Sequence, residues 1–414
     1  MPLRCWPARR GSASGLPDRP AARVFARCAH WFNGFELVQG SVLGSGLRLG
    51  WARSEGQVVN KAAHLLLKSC RNCQPPRRDP VGRLPSLFAS FPPFLPICDC
   101  RLPMTAASVP RYPGVLPDHR RFGYRPITRR PDYRWPGGAG LAVYLGFNVE
   151  HFAFGEGLGA AIGPASPQPD VLNYSWREYG NRVGAWRCLE LFDQLGMPAG
   201  ALINTALYDH CPELVAALVA RGDELIGHGH SNAERQGDLD EAAERALLVR
   251  CRSRIEQVSG QTPAGWLSPW ISENLLTPDL LAETGYRYTL NWCHDDQPMR
   301  LCTRDGNGLW AVPYPQELND IPMIVARQMD AKDFAQMVID QFDEMLEQSR
   351  HQPLVMGIAL HPYLVGQPYR LRHLRRALQH IAAVRDQGGL CFTTPGAICA
   401  HLDTLAAERP TEFA

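Results

Sequence analysis

From about residue 140 onward, short unbroken apolar runs alternate with longer stretches in which apolar positions recur every three or four residues. The run 140–147 ends at the polar Asn148 and predicts a buried strand. Over 182–195, Val183, Trp186, Leu189, Phe192 and Leu195 share one helical face, and Gly196 follows as a stop. A strand is predicted at Ala199–Ile203, a helix at Pro212–Arg221 before Gly222, and a strand at Glu224–Gly227. Asp238 with Glu241 reads as a capping box for a helix ending at Gly260. A strand at 264–268 is followed by a helix that opens at Thr277-Pro278 and closes at Gly285, and then by strands at 287–291 and 309–313. Asp330 is placed to cap a helix over Ala331–Gln348, followed by the apolar strand Leu354–Leu360, a helix over 369–387 and a strand at 390–393. This alternation, sustained over roughly 270 residues, implies parallel βα units. It predicts a distorted parallel (β/α) barrel of about seven strands. A doubly wound open sheet is the alternative, but it would carry a Gly-rich phosphate turn, which the sequence lacks.

The first hundred residues follow neither pattern. Gly, Ser, Pro and Arg are scattered through them, and Pro92, Pro93 and Pro96 interrupt the apolar stretch between Leu84 and Ile97. That stretch lies far from the first residue, and its prolines oppose the continuous helix of a signal peptide. The pairs Cys70/Cys73 and Cys98/Cys100 fit a zinc ribbon poorly, since the second has only one intervening residue. Residues 1–103 are therefore expected to be an irregular N-terminal extension, disordered or non-native, with the catalytic domain at 104–414.

Charge supports that division. The whole chain of 414 residues has a formal net charge of +2. Residues 1–103 hold 15 basic and 5 acidic side chains, against 28 and 36 in the remainder. Of the 43 basic residues only Lys61, Lys68 and Lys332 are lysine, and Lys332 lies on a charged helix, which argues against Schiff-base chemistry. No apolar run is long enough for a membrane-spanning helix. Neither a nucleic-acid nor a membrane partner is expected, and a homo-oligomer is compatible with the composition. The absence of an export signal gives the expectation of a cytoplasmic protein. Cysteines 188, 211, 251, 293, 302, 391 and 399 show no ligand spacing and read as free thiols.

The candidate chemistry lies just after the strands. Asn148, Glu150 and His151 follow the first, and His228, His230, Ser231 and Asn232 follow the third. Ser268 and Trp270, then His294, Asp295 and Asp296, then Tyr314, and finally His361 occupy the same place on later strands. In a parallel barrel these positions share the C-terminal rim, where barrel active sites are built. A titratable group directly after so apolar a strand as Leu354–Leu360 is costly to bury without a purpose.

Several of these segments carry a resemblance. The segment from Asp223 to Asn232, Asp-Glu-Leu-Ile-Gly-His-Gly-His-Ser-Asn, resembles the His-rich motif of the polysaccharide deacetylase superfamily, the carbohydrate esterases with a NodB-homology domain. Phe147-Asn-Val-Glu150 is similar to its acidic motif, Trp266-Leu-Ser-Pro-Trp270 to its Arg-Pro-Pro motif, and Gly357-Ile-Ala-Leu-His361 to its last motif. The allantoinase-like branch is closer still, through 178–187, Asp295-Asp296, Pro313-Tyr314 with Asn319-Asp320, Phe342-Asp343 and 360–368. The resemblance spans roughly residues 115–405 and implies a NodB-type barrel that hydrolyses C–N bonds in amides or acetamides. It also implies a metal triad of one aspartate and two histidines, whose places here fall on Glu150, His228 and Asn232. The third-motif arginine is replaced by Leu267.

Amide hydrolysis needs an activated water, a stabilised oxyanion and an acid for the leaving nitrogen. Glu150, His361 and Asp296 form the expected catalytic set, with Glu150 as base or ligand and His361 as acid. His228 would hold a divalent ion or donate to the oxyanion. Arg182, Trp270, Asp295 and Tyr314 are the expected substrate contacts. At the metal positions Glu150, His228 and Asn232, an amide oxygen is a poor donor to Zn²⁺, so weak or absent metal is expected unless His230 or Asp296 completes the site. The expected substrate is a small amide or ureide, with an N-acetyl sugar or polysaccharide as the alternative. A catalytically inactive sugar-binding barrel is the third possibility.

Overall fold

Strand β1 (Leu141–Val149) is buried at every position and pairs on both of its edges, which explains why it reads as a continuous apolar run. The computed structural model describes residues 118–158, 162 and 168–413. The expected extension over 1–103, with its two cysteine pairs, lies outside the described residues. Leu145–Val149 pairs with β2 (Ala199–Ile203) and Leu141–Phe147 with β8 (Leu354–Leu360), both in parallel. From β2 the sheet continues through β3 (Glu224–Gly227), β4 (Gly265–Trp266), β5 (Tyr288–Thr289), β7 (Leu309–Ala311) and β6 (Met299–Leu301). A last strand, β9 (Leu390–Phe392), pairs with the start of β1.

The sheet is a curled, mostly parallel half-barrel. Its free edge at β8 is met by loops: the Val355 N–H donates to the Asp296 carbonyl and the Ala359 N–H to the Leu318 carbonyl, each at 2.9 Å. Nine strands occur among the described residues, against an expectation of about seven. The unexpected β6 is antiparallel to β7 and only partly buried, at Met299 and Arg300, so it lacks the continuous buried apolar run of the parallel strands.

Helices flank the sheet, most of them on its outer face, while the segment Pro395–Glu408 packs on the opposite face, its Ile398, Cys399 and Leu402 clustering with Ala142 and Tyr144 of β1. They are α1 (Val171–Tyr179), α2 (Ala185–Leu195), α3 (Pro212–Arg221), α4 (Glu241–Ser259), α5 (Thr277–Glu283), α6 (Ala331–Gln348), α7 (Pro362–Val365), α8 (Pro368–Ala382) and α9 (Pro395–Glu408). Two corrections concern caps. The cap of α4 is Asp240, which accepts from the Ala243 N–H at 2.8 Å, and not Asp238. Asp330 sits at the N-cap of α6 without capping through its side chain. The expected helix over 369–387 ends at Ala382.

Helix α1 lies upstream of the helix expected at 182–195. Its buried residues are Asn173 and Arg177, both polar, so no apolar stripe announces it. Between α1 and α2 runs one π-helical turn, Gly180–Gly184. It packs backbone to backbone on the segment after β8: a Cβ at Gly184 would overlap the Pro362 carbonyl oxygen, and one at Gly180 would lie 2.8 Å from the Tyr363 nitrogen. Such turns recur at functional sites. Here it seats α1 against the end of β8.

Candidate active site

Glu150 follows β1 directly, and the Asn181 side chain of the π-turn holds its main-chain carbonyl at 2.8 Å. Its carboxylate is 5% exposed and ringed by donors. Asn232 Nδ2 donates to Oε1 at 2.7 Å, and the Tyr363 hydroxyl donates to Oε2 at 3.1 Å. Arg177 Nη1 lies 3.4 Å from Oε2, with its guanidinium over the Phe152 ring at 3.5 Å and the Tyr363 ring at 4.8 Å. His228 Nε2 and His361 Nε2 approach Oε1 at 3.5 and 3.6 Å. Burial alone would push this carboxyl up. The His361 charge, the close approach of both imidazoles and the Arg177 charge more than reverse that, holding it well below the usual carboxylate range.

His361 closes β8 and is gripped twice by the fully buried Asp320. Its main-chain N–H donates to Oδ2 at 2.8 Å and its Nδ1 donates to Oδ1 at 2.6 Å. Burial opposes the charged ring, but the Asp320 and Glu150 charges and their hydrogen bonds outweigh it and raise the pKa to about 9. The ring is thus imidazolium at neutral pH, with Nε2–H turned toward Glu150. His228, from the end of β3, donates Nδ1–H to the Leu267 carbonyl at 2.7 Å. Its Nε2 is buried and has no hydrogen-bond partner among the described residues.

These groups face a cavity of about 230 Å³, which Glu150, His228, Asn232, Trp270, Tyr314 and His361 help to line. Tyr314 receives a hydrogen bond from Asn148 Nδ2 at 3.0 Å on the inner wall. Trp270 stands half-exposed at the mouth, with Nε1 donating to the Asn232 carbonyl at 2.9 Å. Three expected site residues are placed elsewhere. Arg182 projects outward, 75% exposed and paired with Glu178 at 3.0 Å, because the inward position on this helical segment falls to Arg177. Asp295 is ion-paired with Arg130. Asp296 lines, with Asp295, a separate cleft of about 610 Å³ at the barrel seam rather than the Glu150 cavity. Sequence reading assigned no role to Arg177, Tyr363, Asn204 or Asp320. Only Tyr363 and Asp320 carried a signal, lying within the segments that resemble the allantoinase-like branch.

The expected metal positions do not fit a divalent ion. Asn204 Oδ1 accepts the His151 N–H at 2.7 Å, so Asn204 Nδ2 must donate, to the His228 carbonyl and to Asn232 Oδ1. That fixes the Asn232 amide with its N–H₂, not its oxygen, toward Glu150. Arg177 and the His361 imidazolium already supply positive charge to the carboxylate. His230 does not repair the set, because its Nδ1 pairs with the Thr205 hydroxyl at 3.0 Å and its side chain is exposed. No cluster of three His, Cys, Asp or Glu side chains among the described residues is arranged to hold a metal.

Residues 178–289 match the polysaccharide deacetylase family. A peptidoglycan deacetylase of Helicobacter pylori is 23% identical over 270 residues, covering 58% of this chain and 90% of its own. The crystal structure of a "probable Polysaccharide deacetylase" from Pseudomonas aeruginosa superposes with a TM-score of 0.57 at 26% identity, covering 67% of this chain and 97% of that one. The crystal structure of PuuE allantoinase does so with a TM-score of 0.58 at 25% identity, covering 71% and 97%. Over residues 178–289 the chain thus matches the polysaccharide deacetylase family, and in sequence and fold it is similar to proteins named as carbon–nitrogen hydrolases.

Proposed function

We propose that the protein hydrolyses the C–N bond of a small amide or ureide, without a metal, with His361 as the acid for the leaving nitrogen. The observation that carries this reading is the buried line Asp320–His361–Glu150, which keeps a proton on Nε2 at the wall of a small cavity. A leaving nitrogen must be protonated as its bond to carbon breaks, and a positioned imidazolium contributes roughly 10²–10⁴-fold to such a step. Asp320 holds the ring's orientation and charge. Glu150 balances Arg177 and His361, so the cluster of two cations and two anions is neutral before substrate enters.

Cavity size bears on the substrate. Drug-sized ligands occupy pockets of roughly 300–1,000 Å³, and this one is about 230 Å³. A single small ring or a short linear amide suits that volume better than a stretch of glycan. The half-exposed Trp270 at the mouth favours a second reading, an N-acetyl sugar whose ring rests on the indole. The names of the polysaccharide and peptidoglycan deacetylases it resembles point the same way.

A hydrolysis panel of small amides, ureides, N-acetylglucosamine and N-acetylated glycan, run after exhaustive chelation and again with added Zn²⁺, tests both readings. Turnover of a small amide or ureide in chelator is expected. Activity confined to glycan, or appearing only with Zn²⁺, would overturn the proposal.

A further inference from the structure

We propose that the outer faces of α6 and α8 form a self-complementary surface that joins two copies of this chain about a two-fold axis. The surface stands apart from the hydrolase reading, and what marks it is charge that the fold leaves uncompensated.

Helix α8 carries Arg370, Arg372, Arg375 and Arg376 with His373 and His380, and no acidic residue. Helix α6 carries Asp333, Asp340, Asp343, Glu344 and Glu347 against the single Lys332. The two helices lie side by side. His380 Nε2 donates to Asp343 Oδ1 at 2.7 Å, its ring meets Phe342 edge-on at 6.0 Å, and Arg376 donates to the Gln336 side chain at 3.3 Å. Contacts that join 376 to 336 and 380 to 343 advance together, so the helices are parallel. Their nearness does not neutralise them. Among the described residues, none of the four arginines and none of Asp333, Asp340 and Glu344 stands in an ion pair. The Asp340 and Glu344 carboxylates accept from the amides of Gln336 and Gln348 instead.

The uncompensated groups face outward. Asp333, Asp340, Glu344 and Glu347 are exposed and fall on one face of α6, seven, four and three residues apart. Tyr369, Arg372 and Arg376 are exposed on one face of α8 at spacings of three and four. Like charges at these spacings repel, so each row costs stability that an opposite charge above it would restore. Tyrosine and arginine are also the side chains that anchor protein interfaces, and Tyr369 is 61% exposed.

Two rows of opposite sign, side by side, select the occupant. A polyanion drawn to α8 is repelled by α6, and a polycation drawn to α6 is repelled by α8. A second copy of the same surface satisfies both. A two-fold axis parallel to the helices and midway between them sets the partner's α6 over this α8, and its α8 over this α6, at matching heights. An axis across the helices would instead set each row on its own counterpart, and like charge opposes that. The rows are roughly 22–27 Å long, from helices of 15 and 18 residues.

Charge reversal in two separate chains tests this without a substrate. Sedimentation velocity of the full chain at low salt is expected to show a dimer that weakens as salt rises. Arg372→Glu with Arg376→Glu, and separately Asp340→Arg with Glu344→Arg, should each raise the dissociation constant at least about tenfold through like-charge contact. Mixing the two variants should restore association, because one then has two acidic helices and the other two basic ones. Should a reversal fail to fold, as circular dichroism would show, Arg372→Gln and Asp340→Asn replace it, and each should weaken the dimer and its salt dependence. A wild-type chain that stays monomeric at high micromolar concentration overturns the proposal, and heparin binding through Arg372 and Arg376 would then give the face to a polyanion. Association that survives both reversals, or that each reversal abolishes without return in the mixture, also overturns it. A larger assembly supports it only if each reversal splits that assembly and mixing rebuilds it.

Discussion

Arg177 and Arg182 stand five residues apart on one helical segment and meet opposite fates. Arg177 is 6% exposed beside Glu150, whereas Arg182 reaches solvent and pairs with Glu178, a surface ion pair worth little. Arg177→Met should therefore lower kcat/KM by at least about tenfold, since it removes one of the two cations facing the carboxylate and leaves that charge buried with one fewer partner. Arg182→Ala should stay within a few-fold of wild type. Steady-state kinetics of the two variants decide whether the inward arginine is the functional one. His361 has its own signature. In the proposed role its working form is the imidazolium, and its pKa is raised to about 9, so turnover should be flat through neutral pH and fall as pH rises through about 9. Asp320→Asn removes the larger of the two raising charges and should move that alkaline limb toward neutral pH. A pH–rate profile with an unmoved limb would mean that another group supplies the proton.

Among the elements, the π-helical turn Gly180–Gly184 ties the site together. It brings Asn181 to the Glu150 carbonyl and lays Gly184 against the Pro362 carbonyl, one residue from His361. Gly184→Ala should destabilise the fold by about 1–3 kcal/mol through overpacking and should lower turnover as the His361 segment shifts. Urea denaturation and kcat, measured on the same variant, check the two effects together. The turn at the cavity mouth is strained, with Trp270 at φ 63° and the β-branched Ile271 at φ 52°. Such left-handed residues cost about 1–3 kcal/mol each and persist only where their surroundings hold them, here partly through the Trp270 Nε1 bond to Asn232.

For the whole molecule, the rim of a curled parallel sheet gathers groups from β1, β3, β8 and the loops beside them into one cavity, while the sheet itself supplies the core. The charge step in the sequence bears on stability at this scale. A chain lacking residues 1–103 should melt within a few degrees of the full chain and keep its turnover, because the residues of the site and the strands that carry them all fall after residue 140. Thermal melts and assays of both chains test this, and an insoluble or markedly less stable shorter chain would refute it.

How much of this was legible in one dimension follows from what each feature depends on. The strands β1, β2, β3 and β8 were readable because local apolar runs bounded by Gly and polar residues determine them. So were Glu150, His228, Asn232, Trp270, Tyr314 and His361 as rim positions, since a residue that ends a parallel strand lies on one known face of the barrel. Only the tertiary structure decided which of those groups meet. Helix α1 hid because its inward residues are polar, Asn173 and Arg177, and so it has no apolar period to detect. Asp295 and Asp296 looked like a substrate contact and a catalytic group because they follow a strand, yet the loop carries them to the seam, where Arg130 pairs with the first. The Asn232 amide turns its N–H₂ toward Glu150 because Asn204, itself oriented by the His151 main chain, claims its oxygen. Hydrogen-bond direction, tautomer and charge balance are properties of neighbours brought together from distant parts of the chain, and no local pattern encodes them.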